Sequence, residues 1–346
     1  MLTFLFCTKL YRAKYKMRNV IAIVRGVIGM MIGSFILFSC SAGEDKVKKM
    51  TCISSASELS DTLFFADVEN LMAVGEDILF IDMYRNRIVC MDVSDWSVKS
   101  LIGVPGEGPD ELCALFQFAC RDSILYALDV GCGKVMAYDL QGNISAKYPL
   151  PLESSLMSGY RFLVSEGREV NISTRSDMGA FVNWNLWEEG LSFWGERFRF
   201  DADQAKIRNG RHLLETADGY IAVSDNMPQI EKYDSQKNKA EVYDFSDIPV
   251  VKKRLLKLEG MALGAKSYGI VCEDACVHQD KLYLLLASDD DKGFAVNQIA
   301  VFSLFPRIEY DGVLELPGRI YSTFCVSHNQ IIAFESLKNC FEVFLL

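Results

Sequence analysis

Short apolar runs separated by polar turns recur along the chain from residue 78 to its end. Residues 78–81 form an apolar run that stops at Asp82, and after a polar turn the run 88–91 returns before Asp92, which predicts paired β-strands. Similar units follow at spacings of 44 to 62 residues, and their second strands are predicted to begin at Ile78, Leu125, Glu169, Tyr220, Leu282 and Ile331. This spacing favours a fold that is built by repeating one structural unit.

Six sheet-forming units of this size predict an all-β fold, a six-bladed β-propeller with four-stranded blades around a central channel. A β-sandwich would also contain short strands, but it would not explain a long-range period. The last unit ends at Leu346 after three strands. We therefore expect a strand from residues 50–68, in two candidate pieces at 50–54 and 62–68, to complete the last blade and close the ring, because an open ring would expose long sheet edges.

The wide spacing before Leu282 leaves room for an insertion at residues 247–268. Apolar residues recur in it with helical spacing at Leu255, Leu258, Met261 and Leu263. This pattern predicts a short helix lying over one face of the propeller.

The first 40 residues differ from the rest of the chain. They hold six basic residues and no acidic residue, and an apolar run of about 12 residues ends in Leu-Phe-Ser-Cys40. This pattern predicts a lipoprotein signal in residues 1–40 with Cys40 acylated, a flexible tether in residues 41–50 and the propeller in residues 51–346. Met17 is an alternative start of translation. A plain N-terminal membrane anchor is the alternative to the lipoprotein signal, although a membrane-spanning helix needs about 20 apolar residues.

The charge of the chain excludes one class of partner. The net charge is −10, and near −16 once the six basic residues of the segment 1–40 are removed. Such a surface repels phosphate backbones, so no nucleic-acid binding is expected.

Nine of the eleven cysteines remain after Cys7 and Cys40 are set aside, and an odd number without regular spacing does not predict a disulfide framework.

Two stretches resemble known propeller repeats. Residues 81–88, Ile-Asp-Met-Tyr-Arg-Asn-Arg-Ile, resemble the D-x-x-N-x-R-I core of NHL-type repeats. Residues 101–111, with Gly103, Gly106 and Gly108, look like the glycine-rich loop of TolB-like six-bladed propeller lipoproteins, although Asp110 replaces the usual glycine. The resemblance implies an exported protein anchored by lipid to the bacterial cell envelope, at the outer membrane. It implies no activity, since one fold hosts many functions.

One face of the predicted propeller carries the candidate partner-binding residues. The loops between strands two and three and the blade connectors share that face, and the candidates in them are Tyr84, Arg85, Asn86, Arg87, Glu107, Asp110 and Glu111. Two arginines in one turn of an acidic protein could bind a carboxylate or phosphate of a partner. Alternatively they pair with Asp82 or Asp129, and the loop 106–111 is a rigid connector.

Candidate metal ligands and sugar contacts are few. Asp225, Asn226 and Glu335 could hold a metal at the channel mouth, and the run 289–291 of three aspartates carries the charge for a divalent cation such as calcium, although it lacks the spacing of a calcium loop. A solvated turn is the alternative. Three tryptophans of the third unit could stack on sugar rings or fill gaps between blades: Trp184, Trp187 and Trp194.

Signals of catalysis are weak. The sequence lacks a nucleophile elbow, an H-E-x-x-H motif, a Walker loop and a dinucleotide fingerprint. We therefore expect a non-enzymatic binding or scaffold module for a peptide, glycan or protein partner, and assign no catalytic residue. The alternative is a metal-dependent hydrolase or lyase of the lactonase type, which needs three or four oxygen ligands about 2.0–2.6 Å from one point at the channel mouth.

Overall fold

The computed structural model describes residues 47–60, 63–151, 156–157, 159–188, 190–200, 207–261 and 269–346. The predicted signal in residues 1–40 and residues 41–46 of the predicted tether lie outside them. Among the described residues no helix is long and apolar enough to cross a membrane.

Four short strands precede the repeating part of the chain: β1 (Val47–Lys49), β2 (Cys52–Ala56), β3 (Glu58–Ser60) and β4 (Leu63–Phe64). Blade 1 contains β5 (Val68–Val74), β6 (Asp77–Asp82), β7 (Arg87–Asp92) and β8 (Val98–Ile102). The connector to blade 2 contains β9 (Val104–Pro105) and β10 (Glu111–Leu112). Blade 2 contains β11 (Leu115–Arg121), β12 (Ile124–Asp129), β13 (Lys134–Asp139) and β14 (Ile144–Pro149).

Blade 3 contains β15 (Leu163–Val164), β16 (Glu169–Ser173), β17 (Phe181–Asn185) and β18 (Ser192–Trp194). Blade 4 contains β19 (Arg211–Thr216), β20 (Gly219–Ser224), β21 (Gln229–Asp234) and β22 (Lys239–Asp244). After helix α1 (Pro249–Glu259), blade 5 contains β23 (Cys272–His278), β24 (Lys281–Asp290), β25 (Gly293–Ser303) and β26 (Glu309–Glu315). Blade 6 contains β27 (Tyr321–Ser327), β28 (Gln330–Glu335) and β29 (Cys340–Leu345). A short 3₁₀ helix (Met83–Arg85) lies between β6 and β7.

The position of a strand within its blade explains its residue pattern. The second and third strands of blade 1, β6 and β7, are buried on both faces because neighbouring blades cover them, and so they read as continuous apolar runs. The outermost strand of blade 4, β22, is largely exposed, and its residues alternate between exposed and half-buried positions. The apolar runs were therefore the dependable signal, and every second strand begins within one residue of its predicted start.

Hydrophobic clusters between neighbouring blades show that the ring is closed. The described residues form six such clusters, and one of them joins blade 6 to blade 1. In that cluster Phe341 lies 4.9 Å from Phe80 and 5.1 Å from Phe334, measured between ring centroids. The protein is a six-bladed β-propeller, as the sequence predicted.

The ring is closed by the N-terminal strand, which confirms that prediction. Strand β2 is the outer, fourth strand of blade 6 and pairs antiparallel with β29, with Cys52 opposite Phe344 and Ala56 opposite Phe341. The predicted piece at residues 62–68 was wrong in extent, because β5 begins where that piece was expected to end. Residues 47–49 of the predicted tether form β1, which adds a parallel fifth strand to blade 5 beside β26.

Helix α1 lies where the insertion was predicted to form a helix. Pro249 opens it, as suits a residue without a backbone N–H, and Val251 is fully buried in the core between blades 4 and 5. Arg254, which is also buried, and Lys257 bind the Asp289 carboxylate at 2.9 Å and 2.7 Å. The helix is thus fixed over the face of blade 5 that carries the loops between strands two and three and the blade connectors. We call this face of the propeller the connector face.

Candidate functional site at the mouth of the central channel

Each blade contributes one buried polar side chain to a ring around the middle of the channel. Five of these side chains stand on the first strand of their blade and Arg161 stands two residues before it, and each is less than a tenth exposed: Asn70, Gln117, Arg161, His212, Asp274 and Thr323. First strands line the channel of a propeller, so their inward side chains meet across it. We call these six residues the channel ring.

Arg161 and Asp274 hold the channel ring together by a buried ion pair. Arg161 Nε donates to Asp274 Oδ1 at 2.6 Å, and Nη2 donates to Oδ2 at 2.7 Å. The remaining guanidinium donors bond Asn70 Oδ1 at 3.1 Å and the carbonyl oxygens of Leu71 and Phe324 at 3.0 Å and 3.2 Å. A planar guanidinium with five donors can satisfy several acceptors at once, so a single side chain joins blades 1, 3, 5 and 6.

The Asp274 carboxylate is satisfied from several directions. It accepts hydrogen bonds from Thr323 Oγ1 at 2.8 Å and from the backbone N–H groups of Ala275 and Phe324 at 2.8 Å and 3.2 Å. Burial raises its pKa, but the Arg161 charge and these donors outweigh burial and leave the pKa below its usual value. Asp274 is therefore a charged anchor of the fold.

The channel ring separates two cavities that share no lining residue. One, of about 250 Å³, opens on the connector face and is lined by Tyr160, Arg175, His212, Asp225 and Glu273 among others. The second, of about 330 Å³, opens on the opposite face, between mainly apolar residues such as Phe118 and Val326. We call the first cavity the mouth pocket.

Carboxyl groups dominate the electrostatics of the mouth pocket. Burial raises the pKa of Asp225 and of Glu273 to about 7. Burial, helped by the negative charge of Glu273, raises the pKa of the adjacent Glu69 to about 8. Groups with such pKa values change charge near neutral pH, which is a common property of functional sites.

Two further buried polar side chains lie near these carboxyl groups. His212 is 4 % exposed, its Nδ1 accepts from the Arg161 backbone N–H at 3.4 Å, and its ring also interacts with the backbone of Glu273. Burial lowers the pKa of His212 to about 4, so the ring is neutral and Nε2 carries its proton. Asn226 donates to Asp225, and its Oδ1 has no hydrogen-bond partner within the described residues.

Tyr160 links this lining to the channel ring. Its hydroxyl donates to Asp225 Oδ2 at 2.5 Å, and its ring packs edge-on against His212 with centroids 5.4 Å apart. The mouth pocket therefore presents an imidazole, a phenol and two carboxyl groups, which contacts with one another and with the channel ring hold in place.

The two arginines predicted to bind a partner both face Asp82. Arg85 Nη1 and Arg87 Nη2 lie 3.0 Å and 3.3 Å from Asp82 Oδ2, and Asp82 also accepts from the Arg85 backbone N–H. Asn86 adopts a left-handed conformation at φ 49° and bonds the backbone of Leu112 and Leu115. Of this turn, Tyr84 stays open to solvent at 77 % exposure. The arrangement matches the alternative in which the arginines pair with a neighbouring aspartate.

The loop 106–111 is held internally. Glu111 accepts from the Gly108 N–H at 2.8 Å, and Lys134 Nζ bonds the carbonyl oxygens of Gly108 and Glu111 at 3.0 Å and 2.6 Å. Asp110 pairs with Lys147, and Glu107 is exposed. These contacts fit a rigid connector, with Glu107 the candidate most open to a partner.

The predicted metal ligands do not form one cluster of three carboxylate, histidine or cysteine ligands in the described part of the chain. Glu335 caps a turn of blade 6 and accepts from the backbone N–H groups of Arg319 and Lys338 at 3.0 Å and 2.6 Å. Asp225 lines the mouth pocket, and the neighbouring Asn226 donates to its carboxylate. The cluster that the described residues do form is Cys113, Asp129 and Cys132, in blade 2 and its connector.

Two of the aspartates in the run 289–291 form ion pairs within the protein, and two of the three tryptophans pack in its interior. Asp289 bonds helix α1, as described, and Arg319 donates to both oxygens of Asp290 at 3.2 Å. Trp184 is buried in the core between blades 2 and 3, and Trp194 packs on Phe181 and Tyr233. Trp187 is 65 % exposed. Two of the three tryptophans therefore fill gaps between blades.

Sequence reasoning missed the channel ring, although a signal for it exists. Five of its members lie seven residues before the first residue of their blade's second strand, and Arg161 lies eight before it. A polar residue at a fixed repeat position inside an apolar strand indicates an inward site, because a propeller superimposes its blades around one axis. Aligning the units on their second strands would have revealed it.

Comparison with known proteins agrees with this fold. Residues 58–163 match a family model, DUF5128, that is described as a 6-bladed beta-propeller. No curated protein matches the chain. An exported protein from Bacteroides fragilis NCTC 9343 is 13 % identical over 87 % of this chain and 98 % of its own, with a TM-score of 0.57.

Two further solved structures are similar. A member of the DUF4221 family from Bacteroides vulgatus is 10 % identical over 86 % of this chain and 97 % of its own, with a TM-score of 0.54. A catalytically inactive virginiamycin B lyase from Staphylococcus aureus, solved with quinupristin, is 9 % identical over 85 % and 99 %, with a TM-score of 0.51. At these identities the shared property is the fold.

Proposed function

We propose that this protein is an exported, lipid-anchored and non-enzymatic binding protein of the TolB-like or NHL-type propeller kind. Its ligand would enter the mouth pocket on the connector face. The observation that carries the proposal is a cavity of about 250 Å³ at the channel mouth that is lined by the largely buried carboxyl groups of Asp225 and Glu273, with Tyr160 and His212 beside them. A concave pocket with a few convergent polar groups of perturbed pKa is the usual form of a ligand site.

The charge of the pocket favours a ligand with a cationic group, such as a basic side chain of a peptide or protein partner. Desolvation opposes the ionisation of Glu69, Asp225 and Glu273, which is why their pKa values are raised. A bound ammonium or guanidinium group would compensate the carboxylate charges. Arg161 does not compete for that position, because Asp274 already neutralises it.

We expect a capped lysine-containing tripeptide to bind more tightly at about pH 9 than at about pH 6, because the three carboxyl groups lose their protons as the pH rises through their pKa values of about 7 to 8. Asp225→Asn should weaken binding at the higher pH by about tenfold. Isothermal titration calorimetry measures both effects. The matched ligand control is the same peptide with norleucine, which has the apolar stem without the charge.

The double variant Arg85→Ala with Arg87→Ala is the control on the protein side, because it changes the same connector face outside the mouth pocket. It should bind the lysine peptide like the parent protein. Equal binding of the lysine and norleucine peptides would contradict a cationic ligand. Lost binding in the arginine double variant, with unchanged melting, would move the site to the turn 82–87.

The same pocket supports a second candidate function, an enzyme of the lyase or hydrolase class. Asp225 and Glu273 have pKa values of about 7 beside a neutral His212, as general acid–base chemistry requires. A metal-dependent version would need ligands beyond Asp225 and Asn226, since Glu335 is engaged in a turn of blade 6. Turnover that is lost in both Asp225→Asn and Glu273→Gln would favour this candidate over simple binding.

The proposed anchoring depends on Cys40. We expect Cys40→Ala to remain unprocessed by lipoprotein signal peptidase and to carry no fatty acid, because the acyl chain is attached through the thiol of that cysteine. Metabolic labelling with an alkyne fatty acid, followed by gel shift, measures this. Cys7→Ala is the matched control, since it lies in the same presegment and should be labelled normally. Full labelling of Cys40→Ala would contradict the lipoprotein prediction.

A further inference from the structure

Two thiols meet where the connector from blade 1 reaches the turn between β12 and β13. The Sγ atoms of Cys113 and Cys132 lie within 4.8 Å of each other and of a carboxylate oxygen of Asp129. Cys113 is exposed and Cys132 is half-buried, and both are free thiols. The pair is therefore accessible from solvent.

Asp129 fixes the backbone of both cysteines. Its Oδ2 accepts from the Cys113 N–H at 3.1 Å, and its Oδ1 accepts from the Cys132 N–H at 3.2 Å and from the Ala114 N–H at 2.9 Å. The side chain is fully buried. Because one carboxylate orients both cysteines, their thiols stay close without a change of fold.

The donor set suits a covalent bond between the thiols better than a metal ion. Three N–H donors already occupy the Asp129 oxygens, and Lys134 Nζ lies 3.8 Å away. A structural zinc site needs four ligands of its own. A disulfide needs only the two sulfur atoms and an oxidant.

The other described cysteines are less suited to react. Five are buried within the blades: Cys90, Cys272, Cys276, Cys325 and Cys340. Cys120 is partly buried, and burial raises the pKa of its thiol to about 11, which disfavours the reactive thiolate. Burial also raises the pKa of the Cys132 thiol, so the exposed Cys113 is the thiol that attacks first. Cys52 lies on β2 at the outer edge of blade 6, remote in the fold from blade 2.

We propose that Cys113 and Cys132 form a reversible disulfide that locks the loop 106–111 to blade 2. The Cys113 thiolate attacks a disulfide of a donor, which gives a mixed disulfide and releases one donor thiol. Cys132 then loses its proton and attacks the Cys113 sulfur, which releases the second donor thiol. The donor is reduced by two electrons, and the two cysteines are oxidised.

The bridge would add to the contacts that already hold this connector. Lys134 binds the loop through carbonyl oxygens of Gly108 and Glu111. The disulfide would fix the segment directly after Leu112, so the redox state would control the mobility of the face that carries Glu107. An exported protein meets oxidants that would form such a bond.

The test uses the full chain, reduced and then incubated with oxidised glutathione. Trypsin cleaves after Lys99, Arg121 and Lys134, so a non-reducing digest should contain peptide 100–121 joined to peptide 122–134. Peptide 100–121 also contains Cys120, so Cys120→Ser is the matched control and should retain the link. Cys113→Ser and Cys132→Ser should each abolish it. Oxidation should raise the melting temperature by several degrees in the parent protein and not in Cys132→Ser.

Three outcomes would overturn the proposal. The linked peptides could persist in Cys113→Ser, which would assign the bond to Cys120. Oxidised glutathione could leave Cys113 and Cys132 unlinked although it adds glutathione to one of them. Equimolar Zn²⁺ could protect both thiols from alkylation and resist dialysis, which would make the cluster a soft-metal site.

Discussion

Arg161→Leu is expected to lower the free energy of unfolding by about 3–5 kcal/mol, because it leaves the buried Asp274 carboxylate without its cation. Asp274 is 5 % exposed, so water cannot replace the lost partner. Urea denaturation measures the loss. The variant should regain stability as the pH falls, because without Arg161 burial raises the Asp274 pKa above its ordinary value, and protonation then removes the unpaired charge.

Two controls separate this effect from a general loss of packing. Arg161→Leu combined with Asp274→Leu should recover much of the stability, since a buried ion pair can be replaced by apolar residues when both partners change. Arg121→Leu removes an arginine of the partly exposed pair with Glu215 and should cost about 1 kcal/mol or less. If Arg161→Leu were no more harmful than Arg121→Leu, the channel ring would not hold the blades together.

Deletion of residues 47–56 is expected to cause aggregation or a large loss of thermal stability. It removes β1 and β2, exposes the edge of β29 along its pairing from Phe341 to Phe344, and takes Met50 out of the core between blades 5 and 6. An unpaired strand edge is a template for association with other chains. The melting temperature should fall by about 10 °C or more, which scanning calorimetry and light scattering would detect.

Deletion of residues 41–45, within the predicted tether, is the matched control and should leave the melting temperature unchanged. The deletion of 47–56 is also cleaner than one extending to residue 68, since β5 begins at Val68 and the longer deletion would damage blade 1 itself. A 47–56 variant that melted like the parent would show that β2 is dispensable for closure.

The local pattern of the chain was sufficient for the fold, because each blade is built from neighbours in sequence. Strands β6 and β7 are apolar on both faces, and the turn between them begins at Asp82, whose carboxylate accepts the Arg85 N–H. Short-range pairing of this kind repeats from blade to blade. Closure by β2 also followed from a count of strands, since blade 6 lacked one.

The sequence left two acceptors possible for Arg85 and Arg87 and could not decide between them. One was a carboxylate of a binding partner and the other was Asp82, because a flexible arginine side chain can reach either. The 3₁₀ turn at Met83–Arg85 brings Asp82 close to both arginines, and this geometry decided the pairing. The turn was readable from the sequence, and the direction of its side chains was not.

The sequence by itself determined the number of blades, the order of their strands and the way the ring closes, because these depend on hydrogen bonds and apolar contacts between nearby segments. Only the tertiary structure decided which polar residues meet in the channel. Arg161 and Asp274 are 113 residues apart, and nothing in the local sequence of either blade marks them as partners. They become partners because the closed ring places six first strands around one axis, and closure is a property of the whole chain.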